Sequence, residues 1–116
     1  MVPSMSSRPF FIDTDTASDD AVALALALTD DRVNVVGIGV VAGNVPLDSA
    51  VQNALYTREV CGREDVPVYV GADRPLVLEL GTAQNVHGND GMGDIGLPLN
   101  GRAPNPGHAV DALIEA

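Results

Sequence analysis

The amino-acid sequence predicts an α/β fold, a mostly parallel, Rossmann-like open sheet flanked by helices. Three apolar runs at residues 9–12, 33–41 and 66–70 are separated by two longer segments that read as helices, which is a strand–helix–strand–helix–strand pattern. Hydrophobic residues make up 46% of the chain but aromatics only 3%, so the core must come from Val, Leu, Ile and Ala, a composition suited to parallel strands covered by helices. With 116 residues the chain has material for one domain with a modest core.

Residues 1–8 are polar and are expected to be an extension or disordered, with Met5 a second candidate start. They hold no apolar stretch of secretory length, and no run in the chain approaches the ~20 residues that span a bilayer, so a cytoplasmic protein is the expectation. Residues 9–12 read as a short buried strand. Side chains alternate along it, so Asp13 and Asp15 should share one side at its carboxyl end. Thr16 or Ser18 can cap the helix that follows, with Asp19 and Asp20 where the helix dipole favours carboxylates. Residues 20–28 alternate Ala with Leu and Val and predict a helix that is apolar nearly all round and therefore buried.

Residues 29–32 are a polar stop, and 33–41 predict a central parallel strand. The turn at 41–48 puts Asn44 at that strand's carboxyl end, beside the acidic cluster. A helix then runs from about Asp48 to Cys61, with Val51, Leu55 and Val60 on its apolar side and Gly62 as its stop. Cys61 cannot form an internal disulfide and reads as a small packing residue. Residues 66–70 predict a third strand, with Pro67 at its start where a missing N–H is tolerated. Residues 81–107 are rich in Gly, Asn, Asp and Pro and too long for an ordinary connection, which predicts a functional loop. His108 opens a last helix that reaches Ala116 without a stop signal, so further polypeptide is expected to follow.

The chemistry concentrates in residues 13–20, where Asp13, Asp15, Asp19 and Asp20 stand between two apolar segments. Four like charges this close repel unless something positive sits among them. Carboxylate oxygens suit hard cations, and no His and Cys cluster offers the softer set zinc prefers, so calcium or magnesium is expected. The spacing is not that of a helix–loop–helix calcium loop, since Ala17 and Ser18 stand where ligands and glycine belong. A net charge of −10 opposes binding to nucleic-acid polymers or anionic membranes. Asp13-Thr14-Asp15 after a strand also occurs in metal-dependent phosphatases of the haloacid dehalogenase type, an alternative weakened by Ala17 and by the pair Asp19-Asp20.

The full set of motifs is more specific. Asp13-Thr14-Asp15 followed by Asp19-Asp20-Ala21, Val41-Ala42-Gly43-Asn44, Val68-Tyr69-Val70-Gly71 with Pro75-Leu76, and His87-Gly88 with Asp90-Gly91 and Gly93 together resemble the inosine-uridine preferring nucleoside hydrolase family. The resemblance runs from Phe10 to the last helix and corresponds to roughly the first third of a family member, so it implies a sheet that is incomplete relative to the family: residues 9–116 as the amino-terminal part of the domain, with 81–107 an active-site loop. It implies hydrolysis of the N-glycosidic bond of ribonucleosides to ribose and free base, with a bound calcium. Carried over, Asp15 matches the general base that activates a calcium-bound water and also touches the ion, and Asp20 the bidentate calcium ligand. Asp19 matches a residue gripping the ribose hydroxyls, and Asp13 one supporting the cluster. Asn44 matches a pocket residue near the ribose, and His87 lies in the loop flanking the base. A small-molecule ribonucleoside, and a homo-oligomer or association with a missing carboxyl-terminal part, are the implied partners. The remaining ligands and the acid for the leaving base would lie beyond residue 116, which implies an isolated chain of little or no activity. A non-catalytic calcium- or ribosyl-binding fragment is the other alternative.

Overall fold

The structure is a computed structural model, and it describes residues 8–74 and 81–116. Three strands form a parallel sheet in the order β1 (Arg8–Thr14), β2 (Val33–Val40), β3 (Val68–Val70), so the β-branched run is the central strand as its composition predicts. The ladder pairs Ile12 with Ile38, Asp13 with Gly39 and Thr14 with Val40, after a register shift between Phe10 and Phe11. The helices are α1 (Ser18–Thr29), α2 (Leu47–Val60), the short α3 (Gln84–His87) and α4 (Ala109–Glu115). None of them is long and apolar enough to cross a membrane.

One face of the sheet carries the core. Leu24 and Leu28 of α1, Val35, Ile38 and Val40 of β2, Val51 and Leu55 of α2, and Val66 and Val68 all pack there. Burying each such side chain contributes about 1.5–3 kcal/mol, which fixes α1 and α2 against β2. On the opposite face the packing is built on glycine. Phe11 and Tyr69 stack across β2 with centroids 6.5 Å apart, over Gly37, where a Cβ would come within 2.8 Å of the Phe11 ring. Gly39 and Gly71 leave room for Ala109, which seats the start of α4.

Several expectations change. β1 begins at Arg8, one residue inside the expected extension; residues 1–7, and the Pro75-Leu76 motif, lie outside the described residues. α1 is not buried all round: Ala21, Leu24 and Leu28 face inward, while Val22 and Leu26 are 63% and 68% exposed, because β2 and α2 cover only one side. Neither Thr16 nor Ser18 caps it. Ala17 occupies the N-cap, and the Thr16 hydroxyl turns inward to Thr14. α2 does bury Val51 and Leu55, but Val60 is exposed at its end, where Gly62 at φ +68° stops the helix. The ladder of β3 is shorter than the apolar run, and Val66 joins the core from outside it.

The long segment 81–107 holds α3 and is otherwise irregular, yet it is pinned at both ends. Near one end the Ala83 N–H donates to Asn44 O at 2.7 Å. Near the other, Asn105 Oδ1 accepts from the Val68 N–H at 2.9 Å and the Asn105 N–H donates to Val68 O at 2.8 Å, an imitation of a neighbouring strand along β3. His108 caps α4, its Nδ1 accepting from the Val110 N–H at 3.1 Å.

Candidate active site

The carboxyl ends of β1 and β2 bring two loops together. β1 ends at Thr14, and the turn 15–17 leads into α1 with Asp19 and Asp20 in its first turn, where the helix dipole favours negative charge. β2 ends at Val40, and its turn presents Gly43 and Asn44 to that acidic turn. The Asn44 N–H donates to Asp15 Oδ2 at 2.8 Å. Gly43 is packed so closely that a Cβ on it would lie 2.2 Å from the same oxygen. Thr14 Oγ1 donates to Asp20 Oδ2 at 3.0 Å and stands 3.2 Å from Thr16 Oγ1. Since the single Thr14 proton goes to the carboxylate, Thr16 is the donor in that second bond.

Asp15 and Asp20 lie close enough in the acidic turn for each carboxyl group to shift the other's proton affinity. Burial first, then the hydrogen bond to Asp15 and the charges of Asp15 and Asp19, push the Asp20 carboxyl up to about 6, against the opposing hydrogen bond from Thr14. Burial acts to raise Asp15 too. There the hydrogen bond from Asp20, the N–H of Asn44, its own N–H and the nearby His87 ring outweigh burial, and Asp15 ends below the usual carboxylate range. Asp20 is thus the member that binds a proton more tightly, losing it as pH rises through about 6, while Asp15 ionises well before it.

The other expected residues fall around this pair. Asp19 is exposed at the start of α1. Asp13 is exposed and lines a cavity of about 190 Å³ together with Thr14 and Asp20. Because β1 stops at Thr14, Asp15 belongs to the turn, and the strict alternation that would align it with Asp13 ends before it. The His87 Nδ1 lies 3.1 Å from Ser18 Oγ, which ties the end of α3 to the acidic turn. The loop after His87 is folded on itself by two carboxylates. Asp90 Oδ1 accepts from Met92 and Asp94, and the Asp94 carboxylate accepts from Asn89 and Asp90.

Thr16 and Ser18 figured in the sequence only as cap candidates and Thr14 and Gly43 only as motif members, and Asn53 did not figure at all. For Asn53 a signal existed, a lone amide within the apolar stripe Ala50, Val51, Ala54 and Leu55 of α2. For the others, only the fold says which atom meets which.

As to a metal, Asp15 and Asp20 with the Thr14 hydroxyl form a donor set of hard oxygens. Two neighbouring carboxylates that repel one another would be relieved by a cation, so the residues present fit a hard divalent ion in chemistry. Among the described residues no three His, Cys, Asp or Glu side chains converge, so this pair supplies only part of the roughly six to eight oxygens calcium takes.

Comparison with known proteins bears on the family and the fold. The family model for inosine-uridine preferring nucleoside hydrolase matches residues 10–116. A pyrimidine-specific ribonucleoside hydrolase, RihA of Shewanella sp. (strain MR-7), is 39% identical over 109 residues, covering 94% of this chain and 34% of the relative. Among solved structures, a plant nucleoside hydrolase, PpNRh1, superposes with a TM-score of 0.86 at 39% identity over 93% of this chain and 35% of its own. A purine-preferring ribonucleoside hydrolase from Gardnerella vaginalis superposes at 0.84 with 29% identity over the same 93% of this chain and 35% of its own. The chain therefore spans about a third of the length of these relatives. A match running from Phe10 to Ala116 leaves the haloacid dehalogenase alternative without support.

Proposed function

The chain belongs to the inosine-uridine preferring nucleoside hydrolase family, and from that premise we propose that it carries the acidic part of a site that hydrolyses the N-glycosidic bond of ribonucleosides to ribose and free base. The observation that carries the reading is the Asp15–Asp20 pair in the turn after β1, where the β2 turn meets it through the Asn44 N–H, one carboxyl shifted down and the other up. Ligands in open α/β sheets sit at the carboxyl ends of the strands. RihA is named for pyrimidine nucleosides and the Gardnerella enzyme for purines, so similarity to both assigns no base preference to this chain.

Asp15 is the general base. Its Oδ2 is held by the Asn44 N–H, which leaves the other oxygen to take a proton from an attacking water. Cleavage passes through an oxocarbenium-like state, and the carboxylates around the site stabilise that developing positive charge. Asp19, exposed beside the pair, grips the ribose hydroxyls, and Asn44 orients the sugar from the β2 turn. His87 flanks the base, and Asp13 supports Asp20 from across the cavity they share. Calcium, held by Asp15 and Asp20, would offset their mutual repulsion and make a neighbouring water easier to deprotonate. A cytoplasmic setting, where Cys61 stays reduced, and association with a second copy or with the remaining part of such a hydrolase belong to the same reading.

The test is hydrolysis of inosine and uridine, with calcium, by the 116-residue chain alone and by a chain of family length carrying these residues. The long form should turn over nucleoside and lose at least ~10²-fold in kcat on Asp15→Asn, and the short form should be inactive or nearly so. Full turnover by the short form would refute the incomplete-site reading. Unchanged kcat in Asp15→Asn would refute the role of Asp15, and calcium or ribose binding without turnover in the long form would make this a binding protein.

A further inference from the structure

We propose that Asn53 is a positioning residue: its amide clamps the acidic turn and the loop that follows His87 to one point on α2, and so sets the spacing between the two halves of the site. Asn53 is 1% exposed. Its Nδ2 donates to Thr16 O at 3.0 Å and to Asp90 O at 2.8 Å, so both amide protons are used and one on each loop. Both partners are carbonyl oxygens, which only the NH₂ end of the amide can satisfy. Its Oδ1 has no partner among the described residues. A leucine in this stripe would pack without leaving that acceptor unpaired, so the amide serves the two carbonyls rather than the core.

Each carbonyl leads directly to site residues. Thr16 follows Asp15, and its hydroxyl donates to Thr14, which donates to Asp20. Asp90 anchors the self-folded loop 88–94, to which His87 is tied by the Gly93 N–H donating to His87 O at 2.8 Å. The loop is also seated sterically. Gly91 is buried at φ +80°, and a Cβ there would lie 2.7 Å from Val45 and 3.1 Å from Asn53 Nδ2. Without the amide, the only other side-chain bond described between the acidic turn and this loop is the Ser18–His87 contact, at the exposed rim.

The catalytic consequence rests on the proposed nucleoside-hydrolysing site; the clamp itself does not. Amide hydrogen exchange on the 116-residue chain tests it without turnover. In Asn53→Ala the amides of Met92, Gly93 and Asp94 should exchange about tenfold faster or more, while the Ile38 amide in the sheet changes less than about twofold. Asn53→Leu, which fills the same buried place on α2 but has no amide to donate, should give the same pattern and decides the matter if Asn53→Ala does not fold. Unchanged loop exchange in the folded variants, or a parallel rise at loop and sheet, would overturn the clamp. Local release in a family-length protein that hydrolyses no nucleoside would overturn the activity and uphold the clamp, whereas turnover with unchanged loop exchange would do the reverse.

Discussion

Gly43 offers the sharpest perturbation of the acidic pair. A Cβ at this position would sit 2.2 Å from Asp15 Oδ2, 2.7 Å from Asp15 Cβ and 2.8 Å from Asp15 Cγ, whereas carbon contacts settle near 3.5–4 Å. The carboxylate in Gly43→Ala must therefore retreat by more than ~1 Å, and because Asp15 Cβ is crowded as well, rotation of the side chain alone cannot relieve it. The backbone φ of Gly43 is not positive, so the effect is steric and not conformational. Retreat removes the 2.8 Å bond from the Asn44 N–H, a hydrogen bond to a charged group worth about 1.5–3 kcal/mol. That is roughly a 10- to 150-fold loss in kcat/KM in an active, family-length protein if Asp15 is the base, with overpacking adding about 1–3 kcal/mol of destabilisation. Titration of Asp15 by NMR reads the same event without turnover, since losing a donor must move its pKa upward. A folded Gly43→Ala protein in which Asp15 titrates as in the wild type, with the Asn44 amide unshifted, would refute this account.

Other expectations follow from the same geometry. In metal-free buffer Asp20, at about 6 in the fold, binds its proton more tightly than an unfolded aspartate near 3.8, so its contribution to stability is full below the unfolded value and is lost as pH rises through about 6. Asp15 works in the opposite sense, its contribution present above the unfolded value and lost in acid. Urea midpoints of wild type should thus decline between about pH 4 and 6 and flatten in Asp20→Asn, and a slope unaltered by that substitution would count against the raised proton affinity of Asp20. Added calcium should restore the wild-type midpoint near neutral pH, and no shift at millimolar calcium would mean that the pair does not hold the ion in this chain. On α1, Leu24→Ala should cost about 2–5 kcal/mol because its side chain is buried, while Leu26→Ser, two residues on and 68% exposed, should stay within about 0.5 kcal/mol. Equal losses in denaturant melts would show that α1 presents a different face.

The acidic turn could be read in advance because its signal is local. An apolar strand, then carboxylates at 13, 15, 19 and 20, then an apolar helix, fixes which end of which element carries the charge. The central place of β2 was legible for the same reason, since a β-branched run interrupted only by Asn34, Gly37 and Gly39 belongs where both neighbours are strands. The faces of α1 were not legible. Ala, Leu and Val alternate along it with nearly uniform hydropathy, so the sequence has no polar side to mark solvent, and what decided the matter was how far β2 and α2 reach.

The sequence by itself determined the order of strands and helices, the gathering of carboxylates at the end of β1, and the motifs that identify the family, because each depends on residues close together in the chain. Only the tertiary structure decided which carboxyl binds a proton more tightly, since that depends on Asn44 arriving from β2 to hold Asp15 and on burial acting on Asp20. It alone showed that Asn53, 37 residues from both Thr16 and Asp90, meets the two of them at one point. Hydrogen bonds across such separations are set by packing of whole elements, and no local pattern of residue types encodes them.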